Sequence, residues 1–289
     1  MKTRKIKSIS AYLLLLPYFL LFFVFFLVPA ITILPMSFTR WSLLDKPRFV
    51  GFQNYLKLIN DSLFWKSVGN TFYYTILVTA LLTILGLLLA LLINQNLKGK
   101  TLGRMFVIIP YVISSAAAGV IWKWMYNQNF GIINSYMRAV NLPVLPFLTN
   151  TKWAMPSIVF MNAWWSVGFN TIIYLAALQG IPKELYEAAE VDGANKLQAF
   201  RYITFPFLKP ITLYVTVLCA ANSFQMFDEA YMVTQGGPVG STTTLIFRIY
   251  NTAFEAFRFG DAAAISVVTM LFILTLSLLQ FKLNRNEEY

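Results

Sequence analysis

Six runs of predominantly apolar residues divide the chain, at about Tyr12–Leu34, Val68–Ile93, Met105–Tyr126, Ala154–Gln179, Ile211–Thr234 and Ala262–Phe281. Each reaches the length of about 20 residues that a helix needs to cross roughly 30 Å of hydrocarbon. A backbone in lipid must satisfy its own polar groups, so these runs predict helices. The fold class expected is all-α: a polytopic membrane protein with six transmembrane helices. The first run is too long for a secretory signal and has no small-x-small cleavage site, so it reads as a retained span.

Composition agrees with this. The chain is 58% hydrophobic and only 12% charged, where a soluble domain carries about a quarter charged residues. Histidine is absent and Cys219 is the single cysteine, which excludes disulfide frameworks, His/Cys metal sites and His-dependent nucleophiles. Catalysis by Lys or carboxylates alone remains open, but no clustered pair outside the apolar runs invites it, so no metal, no cofactor and no catalytic residue are expected in this chain. The formal net charge of +11 is spread through short loops and tails rather than gathered on one face, so no nucleic-acid partner is expected. Contact with lipid at the membrane surface explains that spread better.

The charges also predict orientation. Lys2, Arg4, Lys5 and Lys7 lie in a basic tail, residues 1–11, and Lys98, Lys100 and Arg104 follow the second run. By the positive-inside rule both termini, including the tail 284–289, are cytoplasmic. Arg40, Lys46 and Arg48 in an outer loop make the bias modest. Trp122, Lys123 and Trp124 fit an outer aromatic belt with a snorkelling lysine. With no repeat of 20 to 50 residues, residues 12–283 read as one membrane domain. Gly99-Lys100-Thr101 resembles the end of a phosphate-binding loop. Its first glycine would fall at Asn94, however, after a membrane helix rather than a strand, so no ATP site is expected here.

Polar residues at membrane depth face the protein interior or a wet cavity. In the fifth run Thr212, Thr216, Cys219, Asn222, Ser223 and Met226 share one helical face, as do Asn162, Trp165, Ser166, Phe169 and Asn170 in the fourth. Tyr111 and Ser115 lie four apart in the third, after Pro110. Aromatic rings cover the apolar face of a sugar while small polar groups bond its hydroxyls, so the three faces suit a carbohydrate path. Small and polar residues in membrane helices also serve helix packing, and for any one position both readings stand. Asp228 and Glu229, near the outer end of the fifth run, are expected to pair with an outer-loop arginine such as Arg248 or Arg258.

The most specific pattern lies between the fourth and fifth runs. Pro182 suits a helix start, Glu184 and Glu187 complement its dipole, and Gly193 can stop it in the left-handed conformation. A helix this short is unstable alone in water and needs a surface to dock on. Anionic lipid would repel the edge formed by Glu184, Glu187 and Glu190, which leaves a protein partner. Glu187-Ala188-Ala189 with Gly193, then Ile203-Thr204-Phe205-Pro206 and Pro210, resembles the EAA motif of ABC importer permeases. Asn70-Thr71-Phe72, Ile109-Pro110-Tyr111, Phe130-Gly131-Ile132-Ile133-Asn134, Ser223-Phe224-Gln225-Met226-Phe227-Asp228 and Thr234-Gln235-Gly236-Gly237-Pro238 are similar to the carbohydrate-uptake branch, the maltose and glycerol-phosphate permease type. Phe205 and Phe207 depart from that pattern, which often has leucine there, but keep its bulk.

The resemblance implies that Glu187, Ala188, Ala189 and Gly193, within the loop 180–210, form a cytoplasmic coupling helix seated on an ATPase subunit. It implies a substrate path at Tyr111, Ser115, Trp165, Ser166, Phe169, Cys219, Asn222, Ser223 and Met226. The partners it implies are a second permease, two ATPases that bind ATP and Mg, and an extracytoplasmic solute-binding protein. Together they would import a mono- or oligosaccharide across the cell membrane. An ABC permease for glycerol phosphate, an amino acid or a polyamine is the alternative within transport. An ion-coupled secondary transporter or channel, or a purely structural membrane protein, are alternatives from other classes.

Overall fold

The computed structural model describes residues 13–42, 45–95 and 99–285. The basic tail with Lys2, Arg4, Lys5 and Lys7, and Lys98, lie outside the described residues, as do residues 286–289. The architecture is helical: α1 (Leu13–Ser37), α2 (Gln53–Ile59), α3 (Ser62–Asn94), α4 (Lys100–Val112), α5 (Ser115–Met125), α6 (Ile132–Ala139) and α7 (Ala154–Gln179) come first. They are followed by α8 (Lys183–Val191), α9 (Lys196–Phe224), α10 (Leu245–Tyr250) and α11 (Phe259–Arg285). A two-residue ladder pairs β1 (Thr39–Arg40) with β2 (Arg48–Phe49).

Five helices, α1, α3, α7, α9 and α11, are long and apolar enough to cross a membrane. The third expected span departs from a single helix. It is a bent pair, Thr101–Val112 and Ser115–Met125, at 99° to each other, so the described residues hold up to six candidate spans when that pair counts as one. The break has a local cause. Ile113 and Ser114 are extended (ψ 153° and 148°), and Ser114 caps α5 by accepting a hydrogen bond from the Ala117 N–H at 3.2 Å.

The fifth span also differs. Expected from Ile211 to Thr234, its helix starts at Lys196 and stops at Phe224. Pro206 and Pro210 therefore lie inside a helix rather than in a loop. Pro206 removes an N–H and crowds the carbonyl one turn back. The widened turn Phe200–Thr204, in which the Phe205 N–H reaches Phe200 O, accommodates it. The helix begins at a capping box between Asn195 and Gln198, a signal that precedes the apolar run by some fifteen residues.

The chain forms two units, one of residues up to Asp61 with Arg248–Phe272, the other Ser62–Phe247 with the residues after Phe272. In the first, Asn54 Nδ2 donates to the carbonyls of Ser37 and Thr39, both at 2.9 Å, and Arg248 pairs with Asp61. The second holds the core, built where α3, α7 and α9 pack together: Tyr74, Val78, Ile158, Met161, Tyr174, Leu208 and Val215 are buried there. Gly86 lets α3 approach α7, since a Cβ there would sit 3.0 Å from Asn170 Cβ.

Candidate functional site: a polar cavity and a docking helix

Within the second unit a cavity of about 300 Å³ lies among α3, α4, α5, α7, α9 and the turn after α9. All nine positions expected on the substrate path line it: Tyr111, Ser115, Trp165, Ser166, Phe169, Cys219, Asn222, Ser223 and Met226. Thr212 and Thr216, on the same stripe of the fifth run, do not. The Thr216 hydroxyl instead donates to Thr212 O at 2.7 Å, which is the packing reading of that polar pair.

The aromatic wall depends on one glycine. Any Cβ at Gly168 would collide with the Val107 carbonyl, so α4 and α7 touch backbone to backbone there. That approach brings Tyr111 against Phe169, with ring centroids 5.2 Å apart and planes at 25°, and against Trp165 at 5.5 Å. Trp165 Nε1–H donates to Ile113 O at 2.9 Å, satisfying a carbonyl that the helix break leaves without an intrahelical partner. Its indole nitrogen is thus committed to the fold while its ring contributes to the wall.

The polar wall is a chain of side-chain bonds. Ser166 Oγ donates to Asn162 O at 2.7 Å, and Asn162 Nδ2 donates to Glu229 Oε1 at 2.6 Å. The Tyr74 hydroxyl reaches the same oxygen at 3.4 Å, and Ser115 Oγ donates to Asp228 Oδ2. The Cys219 thiol faces Asn170 Oδ1 at 3.6 Å. Asn222 is exposed, and its side chain makes no hydrogen bond among the described residues. The expected arginine pairing of Asp228 and Glu229 is replaced by partners that each group finds within its own unit. Arg248 is held by Asp61 and Arg258 lies 3.6 Å from Asp261, while both carboxylates are engaged by hydroxyl and amide donors at the cavity.

Sequence periodicity missed Tyr74 and Leu82 of α3, and also Asp228 and Glu229, as lining residues. Such a cavity can bind a small polyhydroxylated solute: rings for its C–H faces, hydroxyls, amides and a carboxylate for its O–H groups. No group of three or more His, Cys, Asp or Glu is placed to hold a metal among the described residues.

Helix α8 is the second feature. Pro182 precedes it in an extended conformation (ψ 132°), and Gly193 ends it at φ +81°. Gly193 N–H bonds Glu190 O at 3.0 Å and Ala194 N–H bonds Ala189 O at 2.9 Å, the paired closure that a left-handed glycine permits. None of its residues is fully buried. Tyr186 and Ala189, half-buried, form its inner face, and the Tyr186 hydroxyl lies 2.8 Å from Thr204 Oγ1 of α9. Glu184, Glu187, Ala188 and Glu190 are exposed, as is Val191 at 88%. Only short connectors separate α8 from α7 and α9, both of which line the cavity.

Residues 82–287 match the model of the family described as binding-protein-dependent transport system inner membrane component. Over 290 residues the chain is 33% identical to the trehalose/maltose transport system permease protein MalF of Thermococcus litoralis, covering 98% of this chain and 97% of that one. The sn-glycerol-3-phosphate transport system permease protein UgpA of Rhizobium meliloti is 35% identical over 277 residues, with 95% and 94% covered. A solved chain of a bacterial ABC transporter involved in the import of the acidic polysaccharide alginate superposes with a TM-score of 0.88 at 26% identity, covering 99% of this chain and 100% of that one.

Proposed function

The chain belongs to the family of binding-protein-dependent transport system inner membrane components, and on that premise we propose that it is the sugar-conducting permease subunit of an ABC importer. The carrying observation is the cavity, lined by the contacting rings of Tyr111, Trp165 and Phe169 together with Ser115, Asn222 and Ser223. Relatives of almost equal identity are named for a disaccharide and for glycerol phosphate, so kinship alone does not choose the solute. The cavity chemistry favours a sugar, since stacking rings beside hydroxyl, amide and carboxylate groups, with no Lys or Arg among the described lining residues, match a carbohydrate.

In this reading the protein spans the cell membrane six times, with α4 and α5 as one broken crossing and both termini cytoplasmic. A second permease chain completes the path. Two ATPase subunits bind ATP and Mg and seat the coupling helix α8 through Glu187, Ala188, Ala189 and the Gly193 stop. A solute-binding protein delivers the sugar from outside. ATP-driven closure of the ATPases moves α8, and because α8 is joined directly to α7 and α9 the cavity helices move with it. The Glu184, Glu187 and Glu190 edge supplies charge for a basic cleft on the partner.

Uptake competition tests the solute class. In vesicles carrying the complete assembly, unlabelled neutral mono- and oligosaccharides should compete with the transported solute, whereas glycerol 3-phosphate, amino acids and spermidine should not. Competition by one of the latter, with none by sugars, would overturn the reading.

A further inference from the structure

The turn after α9 places a carboxylate in the cavity wall. Asp228 is half-buried in the cavity wall, and none of the described residues lining that cavity is Lys or Arg. Its neighbour Glu229 is buried and occupied, with one oxygen accepting from both Asn162 and Tyr74, so it ties α7 and α3 to the turn. Asp228 is different. Among the described residues its hydrogen-bonding partner is the Ser115 hydroxyl alone, a neutral donor that leaves its charge uncompensated. A carboxylate in the wall of a membrane protein's cavity is costly to keep, and groups of this kind mark solute or ion paths.

Resting on the sugar-permease reading, we propose that Asp228 is the specificity-determining residue of the cavity, admitting neutral solutes and turning back those that carry a phosphate or carboxylate. Low-dielectric walls focus the field of a carboxylate into the cavity, so an anion is repelled throughout its passage. A neutral sugar meets no net repulsion, and its hydroxyls can donate to the same oxygens, a stronger bond than a neutral acceptor gives. One group thus rewards the hydroxyls of a sugar and penalises its phosphorylated or uronate counterpart. Asn at this position would keep the shape and the hydrogen bond from Ser115 while losing the charge.

The test reads cavity potential directly and needs no knowledge of which sugar is carried. Asn222→Cys in a Cys219→Ser background puts one reporter thiol of this chain in the cavity, within the assembled complex. Its reaction rates with ammonium-tailed and sulfonate-tailed methanethiosulfonates of equal size give a ratio, normalised to a small free thiol in the same buffer. We expect the normalised ratio to favour the cation, to fall about fivefold in Asp228→Asn, to persist in Asp228→Glu, and to shrink with added salt. If the ratio is the same with Asp and Asn at 228, the proposal fails. Should Asp228→Asn not assemble, a salt-independent ratio near one in the parent protein refutes it equally. Uptake of neutral sugar by the unmodified complex is scored separately. Sugar uptake with an unmoved ratio sinks the charge filter alone, and a moved ratio without sugar uptake sinks the sugar reading instead.

Discussion

Replacing Tyr186 by phenylalanine deletes one oxygen from the joint between α8 and α9. That hydroxyl, on a helix none of whose own residues is fully buried, lies 2.8 Å from Oγ1 of the buried Thr204. A neutral hydrogen bond of this kind contributes about 0.5–1.5 kcal/mol net, which is about a two- to twelvefold change in the equilibrium between docked and released α8. The permease should still assemble with its ATPases, because the exposed Glu187 and Ala188 are untouched. Motion of the ATPases should reach the cavity helices less efficiently. In proteoliposomes containing the full importer, with uptake and ATP hydrolysis measured together, Tyr186→Phe is expected to lower solute moved per ATP several-fold while hydrolysis persists. Thr204→Val removes the same bond from the other side, so the double variant should be no worse than either single one. An unchanged transport-to-hydrolysis ratio in Tyr186→Phe, or a double variant showing the sum of two separate losses, would refute the reasoning.

Four further changes probe the local structure. Trp165→Phe keeps a ring for Tyr111 but leaves Ile113 O without its donor; a loss of about 1–3 kcal/mol in stability is expected, read as a lower midpoint in thermal unfolding of the detergent-solubilised assembly. Gly168→Ala has no room beside the Val107 carbonyl, so thermal melting and transport should both suffer, whereas Gly103→Ala, with open space around it, should be near neutral. Gly193→Ala forces a side chain into φ +81° at a cost of about 1–2 kcal/mol; ATPase retention should weaken, while the protein's own melting, dominated by the core of α3, α7 and α9, should barely move.

Much of this architecture is legible from one chain because membrane spans and amphipathic faces are local patterns. The fourth span was bounded by Ala154 and Gln179 in sequence and structure alike, and Pro182 and Gly193 bracketed α8 as their backbone preferences require. What escaped was set by long-range contact. The break at Ile113–Ser114 is completed by Trp165, which lies 52 positions away, and Glu229 is engaged by Tyr74 across 155 positions. No hydropathy period carries such pairings. The early start of α9 was hidden by Pro206 and Pro210, which look like loop residues until the widened turn at Phe200–Thr204 is seen to absorb one of them. The Ser115 hydroxyl, rather than an arginine, engages Asp228, and a contact across 113 positions leaves no trace in the local sequence pattern.

The most direct measurement of the central claim is the amount of ATPase subunit retained by affinity-purified permease, for the parent protein and for Glu187→Arg at matched permease yield. The coupling account predicts retention close to one ATPase per permease chain in the parent, and loss of most of it when the exposed acidic position becomes basic. Equal retention by both proteins, or none by the parent, would mean that α8 is not where a motor takes hold.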